Sequence, residues 1–216
     1  MASVKDLFVV THTESVHHLE NRVGGWYDTD LTPRGRWDAE ATAERLAVLV
    51  GQRQVEIYSS DLRRASQTAA AVARRFGVHV TETADLREIS YGVAGGQPQD
   101  WLDARYNPVS DGNRLDHHCG IEGAETRREV AARVFPRVNA IVDRPCGTQI
   151  IVTHGFTLSF VIAAWMKIPI DGTGFLSFPA KSGSITHLRE DDFFRSRALI
   201  RFADASHLNP ESSQKA

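Results

Sequence analysis

The sequence predicts a layered α/β domain with a mostly parallel central sheet. Three observations carry this expectation. Short continuous apolar runs read as buried strands, they alternate with segments of helical period, and no linker-like shift in composition breaks the chain before its polar end. A single domain over residues 1–206 with a polar tail at 207–216 follows.

The elements can be justified in order. The run at 7–11, LFVVT, is apolar and β-branched between polar neighbours, so it reads as a buried strand. After a loop, LTPRGRWDAEATAERLAVLV carries helix punctuation. Thr32 can cap, Pro33 suits the first helical position, and Trp37, Ala41, Leu46 and Val50 trace an apolar stripe. A second strand is expected at 55–59, and DLRRASQTAAAVARRFG is an alanine-rich helix stopped by Gly77. A third strand follows at 78–81. Residues 88–123 contain glycine, proline, asparagine and aspartate without periodicity, as long functional lids do. Within them Trp101, Arg105, Tyr106 and Arg114 either line a substrate pocket or pack and solvate the loop. A helix at 124–142, a strand at 149–153 and an apolar helix at 156–166 come next, and GSITHLRE and SRALIRF form a terminal hairpin.

Bulk composition narrows the function. With 216 residues, 42% of them hydrophobic, the chain can bury a substantial core. A formal charge of -2 argues against nucleic acid or an anionic membrane as partner. No apolar run has membrane-spanning length, and the one near the N-terminus is too short for a signal-peptide core, so a cytoplasmic protein is expected. Cys119 and Cys146 form no CxxC pair and read as reduced thiols. The apolar terminal strands are candidates for a homodimer interface.

In an open α/β sheet the ligand site lies beyond the carboxyl ends of the strands. Two segments deliver a histidine there in matching contexts: LFVVTH with His12, and IIVTHG with His154. A lone histidine at a strand end is usually structural, but two in the same setting on neighbouring strands can face each other. The segment YSSDLRRASQTA places Arg63 and Arg64 at a helix start, where a guanidinium fork and the helix dipole both favour phosphate; alternatively, both are solvated helix arginines. Glu88 of LREISYG opens the irregular segment, where a buried carboxyl could donate a proton; taken alone it is an ordinary surface glutamate.

These motifs resemble, in order and spacing, the histidine phosphatase superfamily, the phosphoglycerate mutase-like proteins, over about residues 5–190. The matching segments are GWYDTDLTPRG, SSDLRRASQTA, LREISYG, GAET with Arg133 and Val134, and the His154–Gly155 step. The resemblance implies a three-layer α/β/α sandwich and a phosphomonoester hydrolase that needs no metal or other cofactor and acts on a small phosphorylated substrate. It also implies roles: His12 as nucleophile, Glu88 as proton donor, and His154, Arg64 and Gly155 around the phosphate. A mutase is the less expected activity.

The chain departs from the family at its first motif. Thr11-His12-Thr13 stands where the family carries arginine-histidine-glycine. Losing a charge-assisted donor from such a site costs roughly 2.7–4 kcal/mol of transition-state stabilisation. Thr11 and Thr13 can offer only hydroxyls, so SVHHLENR is the expected substitute, with protonated His17 and His18 and with Arg22 over the phosphate, favouring mildly acidic pH. Two alternatives remain at this point: a phospho-ligand binder without turnover, or a metal-dependent enzyme. The second would use His12, His17, His18, His154 and Asp28, or Asp116, His117, His118 and Cys119 of RLDHHC.

Overall fold

Both faces of β1 (Lys5–Thr11) are covered. Leu7, Phe8, Val9 and Val10 are fully buried, and because successive side chains of a strand point to opposite faces they divide between two cores. Leu7 and Val9 enter one apolar cluster, Phe8 and Val10 the other. In the computed structural model, which describes residues 5–109, 112 and 114–208, β1 lies within a six-stranded sheet of order β3-β2-β4-β1-β5-β6. The remaining strands are β2 (Glu56–Ser60), β3 (Val80–Thr83), β4 (Thr148–Thr153), β5 (Ile185–Glu190) and β6 (Arg197–Asp204). β3, β2, β4 and β1 run parallel, whereas β5 and β6 add the expected antiparallel hairpin on the far side of β1.

Among the described residues, six α-helices accompany the strands: α1 (Val16–Leu19), α2 (Pro33–Val50), α3 (Arg63–Phe76), α4 (Gln99–Asp103), α5 (Arg127–Val142) and α6 (Gly155–Trp165). Ala43 and Leu46 of α2 and Ala65, Ala69 and Val72 of α3 pack on one face of the sheet. Val130, Val134 and Val138 of α5, with Leu158, Phe160 and Val161 of α6, cover the other. This is the three-layer α/β/α sandwich, and a parallel sheet demands it because both of its faces are apolar.

Several local expectations shift. Thr32 caps α2 as anticipated, its Oγ1 accepting the Gly35 N–H at 2.8 Å. The buried stripe of α2 is, however, Gly35, Ala39, Ala43, Leu46 and Val50, while Trp37 is 80% exposed. Steps of four and three residues keep one face of a helix, and position 37 lies outside that series. α5 begins at Arg127 rather than 124, because Thr126 forms a capping box with Glu129. β3 starts at Val80, since Gly77 takes a left-handed conformation to end α3 and the chain needs two further residues to rejoin the sheet. The SVHHLENR loop contains the single turn α1, and α4 interrupts the segment expected to lack periodicity. Of the expected polar tail, His207 and Leu208 belong to a 3-10 turn; His207 Nε2 lies 3.1 Å from both Thr42 Oγ1 and the Gly183 carbonyl. Residues 209–216 lie outside the described residues.

Gly35 is where α2 meets the loop that follows β1. A Cβ there would fall 1.9 Å from the Glu14 carbonyl oxygen. Alanine ordinarily favours a helix over glycine by about 1 kcal/mol. Here Gly35→Ala should instead destabilise by about 1–3 kcal/mol and lower Tm by several degrees. A thermal melt checks this, and an unchanged Tm would show that helix and loop can part without cost.

Candidate active site

Parallel pairing of β1 with β4 sets Thr11 opposite Thr153, so the two strands end in step. The next residues are His12 and His154. The His12 N–H continues the ladder to the Thr153 carbonyl at 2.9 Å, and the two imidazoles meet edge-on with centroids 5.0 Å apart. β2, on the other side of β4, ends in Ser60, whose Oγ lies 2.8 Å from His154 Nε2. Arg64, in the first turn of α3, is 1% exposed and reaches back under this edge. Its Nε donates to His12 Nε2 at 3.2 Å, Nη1 to the Tyr27 carbonyl at 3.0 Å and Nη2 to the Gly25 carbonyl at 2.6 Å. Gly25 aims that carbonyl from φ 56°, and a Cβ on it would stand 2.9 Å from the Ile89 carbonyl oxygen.

Hydrogen bonding fixes the state of His12. Nδ1 lies 2.8 Å from the Thr13 carbonyl, an obligate acceptor, so Nδ1 carries the proton. Nε2 is then an unprotonated lone pair, which is why the Arg64 Nε–H can point at it. Burial, then the Arg64 charge, pushes His12 well below the ordinary imidazole range, and the same causes act on His154. His154 Nδ1 is buried without a hydrogen-bond partner. Burial also lowers Arg64, to about 10, which leaves it charged at neutral pH. Glu88 sits against the N-terminus of α6: Oε2 accepts the Phe156 N–H at 3.1 Å, and Oε1 accepts those of Thr157 at 3.1 Å and Ile89 at 3.0 Å. Among the described residues the Gly155 N–H has no hydrogen-bond partner, and a Cβ on Gly155 would meet no atom within 4 Å.

A cavity of about 240 Å³ joins His12, Arg64, Glu88 and Gly155 with His17 and His18. Other expected site residues stand differently. Thr11 lines the cavity, but its hydroxyl proton goes to the Lys181 carbonyl at 2.6 Å while Ser184 Oγ supplies it from 3.1 Å. Thr13 turns away, donating to the Gly35 carbonyl at 2.7 Å and accepting no ligand-facing role. Arg22 is exposed outside the cavity, bonded to the Gly96 carbonyl at 2.7 Å and to Glu20 at 3.1 Å. Asp28 accepts the Arg63 N–H at 2.7 Å. Cys119 packs in a separate apolar cluster, and among the described residues no group of three or more His, Cys, Asp or Glu is arranged to hold a metal ion. Sequence reasoning missed Gly25, Tyr91 and Ser182, which also line the cavity; only the glycine pair in VGGWYD offered a signal. A larger cleft, about 790 Å³, opens at the amino ends of the strands, and its arginines Arg53 and Arg75 are already paired with Asp6 and Glu44.

The expectation of protonated His17 and His18 needs correction. His17 Nδ1 is held 2.9 Å from Thr29 Oγ1 and 3.0 Å from Ser15 Oγ, and burial lowers its pKa to about 3. His18, lowered by burial and by Arg64, accepts the Ser15 N–H on Nδ1 at 3.3 Å. Its proton therefore resides on Nε2, making His18 a neutral donor at the cavity rather than a cation.

Comparison with known proteins places the chain in a family. The profile of the histidine phosphatase superfamily (branch 1) matches residues 7–198. A glucosyl-3-phosphoglycerate phosphatase of Mycolicibacterium vanbaalenii is 33% identical over 179 residues, 78% of this chain and 77% of that protein. A probable phosphoglycerate mutase of Salmonella paratyphi C is 27% identical over 213 residues, 94% of each chain. Among solved structures, a mycobacterial glucosyl-3-phosphoglycerate phosphatase in complex with VO3 superposes with a TM-score of 0.76 at 29% identity, covering 93% of this chain and 100% of that one. The chain belongs to the histidine phosphatase superfamily. The relatives it matches are phosphatases and mutases, enzymes of phosphoryl transfer.

Neutral buried histidines tie stability to pH. Unfolded, His17 titrates near 6.5; folded, it stays neutral down to about 3. Between those values the unfolded chain binds a proton that the folded chain refuses, so stability is full above 6.5 and falls as pH drops below it. Each such histidine contributes at most about 1.4 kcal/mol per pH unit. Urea unfolding at a series of pH values should show this slope, and His17→Gln should flatten it. An equal slope in the variant would assign the effect to other groups.

Proposed function

We propose that this protein is a phosphomonoester hydrolase working through a phosphohistidine on His12. The observation that carries the reading is the His12 tautomer: an Nε2 lone pair facing a phosphate-sized cavity beside a buried guanidinium. Nε2 attacks phosphorus, the P–O bond to the alcohol breaks, and the leaving oxygen takes a proton from Glu88. Water then gives its proton to Glu88 and attacks the phosphohistidine, releasing inorganic phosphate and restoring His12. No metal enters the route.

Arg64 moves its Nε–H from His12 to a phosphoryl oxygen when substrate arrives. Gly155 and His18 line the same cavity and are the other donors offered to the equatorial oxygens, while His154, edge-on to His12, backs the cavity from behind. Position 11 lacks the family's arginine, and His18 is our candidate for part of its work. The relative at 33% identity is named a phosphatase, which supports hydrolysis over mutase activity.

Phosphate release from a panel of phosphomonoesters, using metal-stripped protein beside His12→Ala, tests the route. Turnover that vanishes in the variant, with an acid-labile phosphoryl adduct on the wild type, is expected. Turnover that appears only when metal is restored would overturn it. His18 is desolvated on its cavity side but exposed to solvent overall, so His18→Ala should leave Tm nearly unchanged while lowering kcat/KM by roughly tenfold or more. Unchanged kcat/KM would remove His18 from the site.

A further inference from the structure

Trp26 stands half in water. It is 42% exposed and absent from the lining of the catalytic cavity, although an indole is ordinarily kept for the apolar area it buries. Its position follows instead from what it holds. Arg87, locked to Asp61 by two bonds of 2.7 Å, lies over the ring with its guanidinium carbon 5.0 Å from the ring centroid. The indole Nε1–H, a donor that accepts nothing in return, then meets the Glu88 carbonyl at 2.7 Å.

The residues on either side of Trp26 serve Arg64. The Gly25 carbonyl accepts from Nη2 at 2.6 Å and the Tyr27 carbonyl from Nη1 at 3.0 Å. The Tyr27 N–H closes the turn on the Gly24 carbonyl at 2.9 Å, and Asp28 takes the Arg63 N–H at 2.7 Å. One short loop is therefore tied to the start of α3 by Asp28 and its carbonyls, and to the Glu88 segment by the Trp26 side chain. Arg64 and Glu88 come from different parts of the chain, and the indole bond fixes one relative to the other.

The Glu88 carbonyl has two lone pairs and two donors. Arg133 Nη2 supplies one at 2.9 Å, while its Nη1 holds the Arg87 carbonyl at 2.7 Å; Trp26 supplies the other. The carboxyl group, meanwhile, rests on the N–H groups of Phe156 and Thr157. Without the indole N–H, Arg133 and the helix end still hold the segment, and water can take the vacated lone pair beside this exposed ring. What is lost is the reference between the proton donor and the guanidinium that holds the phosphoryl group. A displacement of about 1 Å at a reacting group can cost on the order of a hundredfold in rate.

We infer that Trp26 is a positioning residue for the proton donor: its indole N–H, bound to the Glu88 carbonyl, sets the Glu88 carboxyl against the leaving oxygen of a phosphoryl group held by Arg64. This rests on the phosphohydrolase reading above. The probes are glycerol 3-phosphate, whose alkoxide must be protonated as it leaves, and p-nitrophenyl phosphate, whose stabilised phenolate leaves without a proton. Their kcat/KM values report the steps up to that departure and exclude the later attack of water, which both share. Trp26→Phe keeps an aromatic ring for Arg87 and removes the N–H. It should lower kcat/KM about tenfold or more for glycerol 3-phosphate and less than about twofold for p-nitrophenyl phosphate, with Tm within a few degrees of wild type. Glu88→Gln, measured alongside, should show the same selectivity with a larger loss on the alkyl ester. Equal losses on both esters in Trp26→Phe would reduce the ring to a support for the loop and overturn the positioning role, as would no loss on either. A Glu88→Gln variant indifferent to the leaving group would remove Glu88 as proton donor, and with it both the hydrolase route and the role of Trp26.

Discussion

The site depends on two parallel strands that end in step. With Thr11 opposite Thr153, the ladder hands on to His12 and His154 at one level, and their rings meet without a loop having to bring them together. A slip of one residue would turn every side chain of β1 to the opposite face and carry His12 away from Arg64. The two-sided burial of Leu7 to Val10 forbids that slip, because each face has its own apolar cluster to fill. Packing energy far from the cavity thus sets the position of His12 Nε2.

Charge at this edge is sparse. One guanidinium, the Glu88 carboxyl group fastened to a helix end and uncharged imidazoles make up the set. Each interaction gains from the low dielectric around it, since Arg64, His12 and His154 are all buried. Orientation then matters more than the number of charges. The Gly25 and Tyr27 carbonyls fix the guanidinium plane, and the Thr13 carbonyl fixes the imidazole tautomer.

The strand ends and the side chains they bring together are legible in the sequence because each signal is local. A threonine-histidine step after an apolar run, an arginine in the first turn of an alanine-rich helix and a glutamate after a strand each occupy a few consecutive residues. Partners chosen over long distances were not legible. Thr13 is spent on Gly35, Arg22 on Gly96 and Thr11 on Lys181, and nothing near these residues in sequence announces it. Trp37 falls outside the buried stripe of α2 because helical period, not side-chain size, decides which face the sheet covers. The neutrality of His17 and His18 could be learned only from burial and from the hydrogen bonds of Ser15 and Thr29.

The hydroxyl of Thr11 ties together two segments far apart in the chain. It stitches the end of β1 to the segment before β5, through the Lys181 carbonyl and Ser184. A guanidinium placed there would cut both links and find the neighbouring backbone already closed around a smaller side chain, with Thr11 only 3% exposed. An arginine at position 11 would thus require the 181–184 segment to change with it. The end of β1 and the approach to β5 form one stitched unit, and neither side of the seam can be redesigned alone.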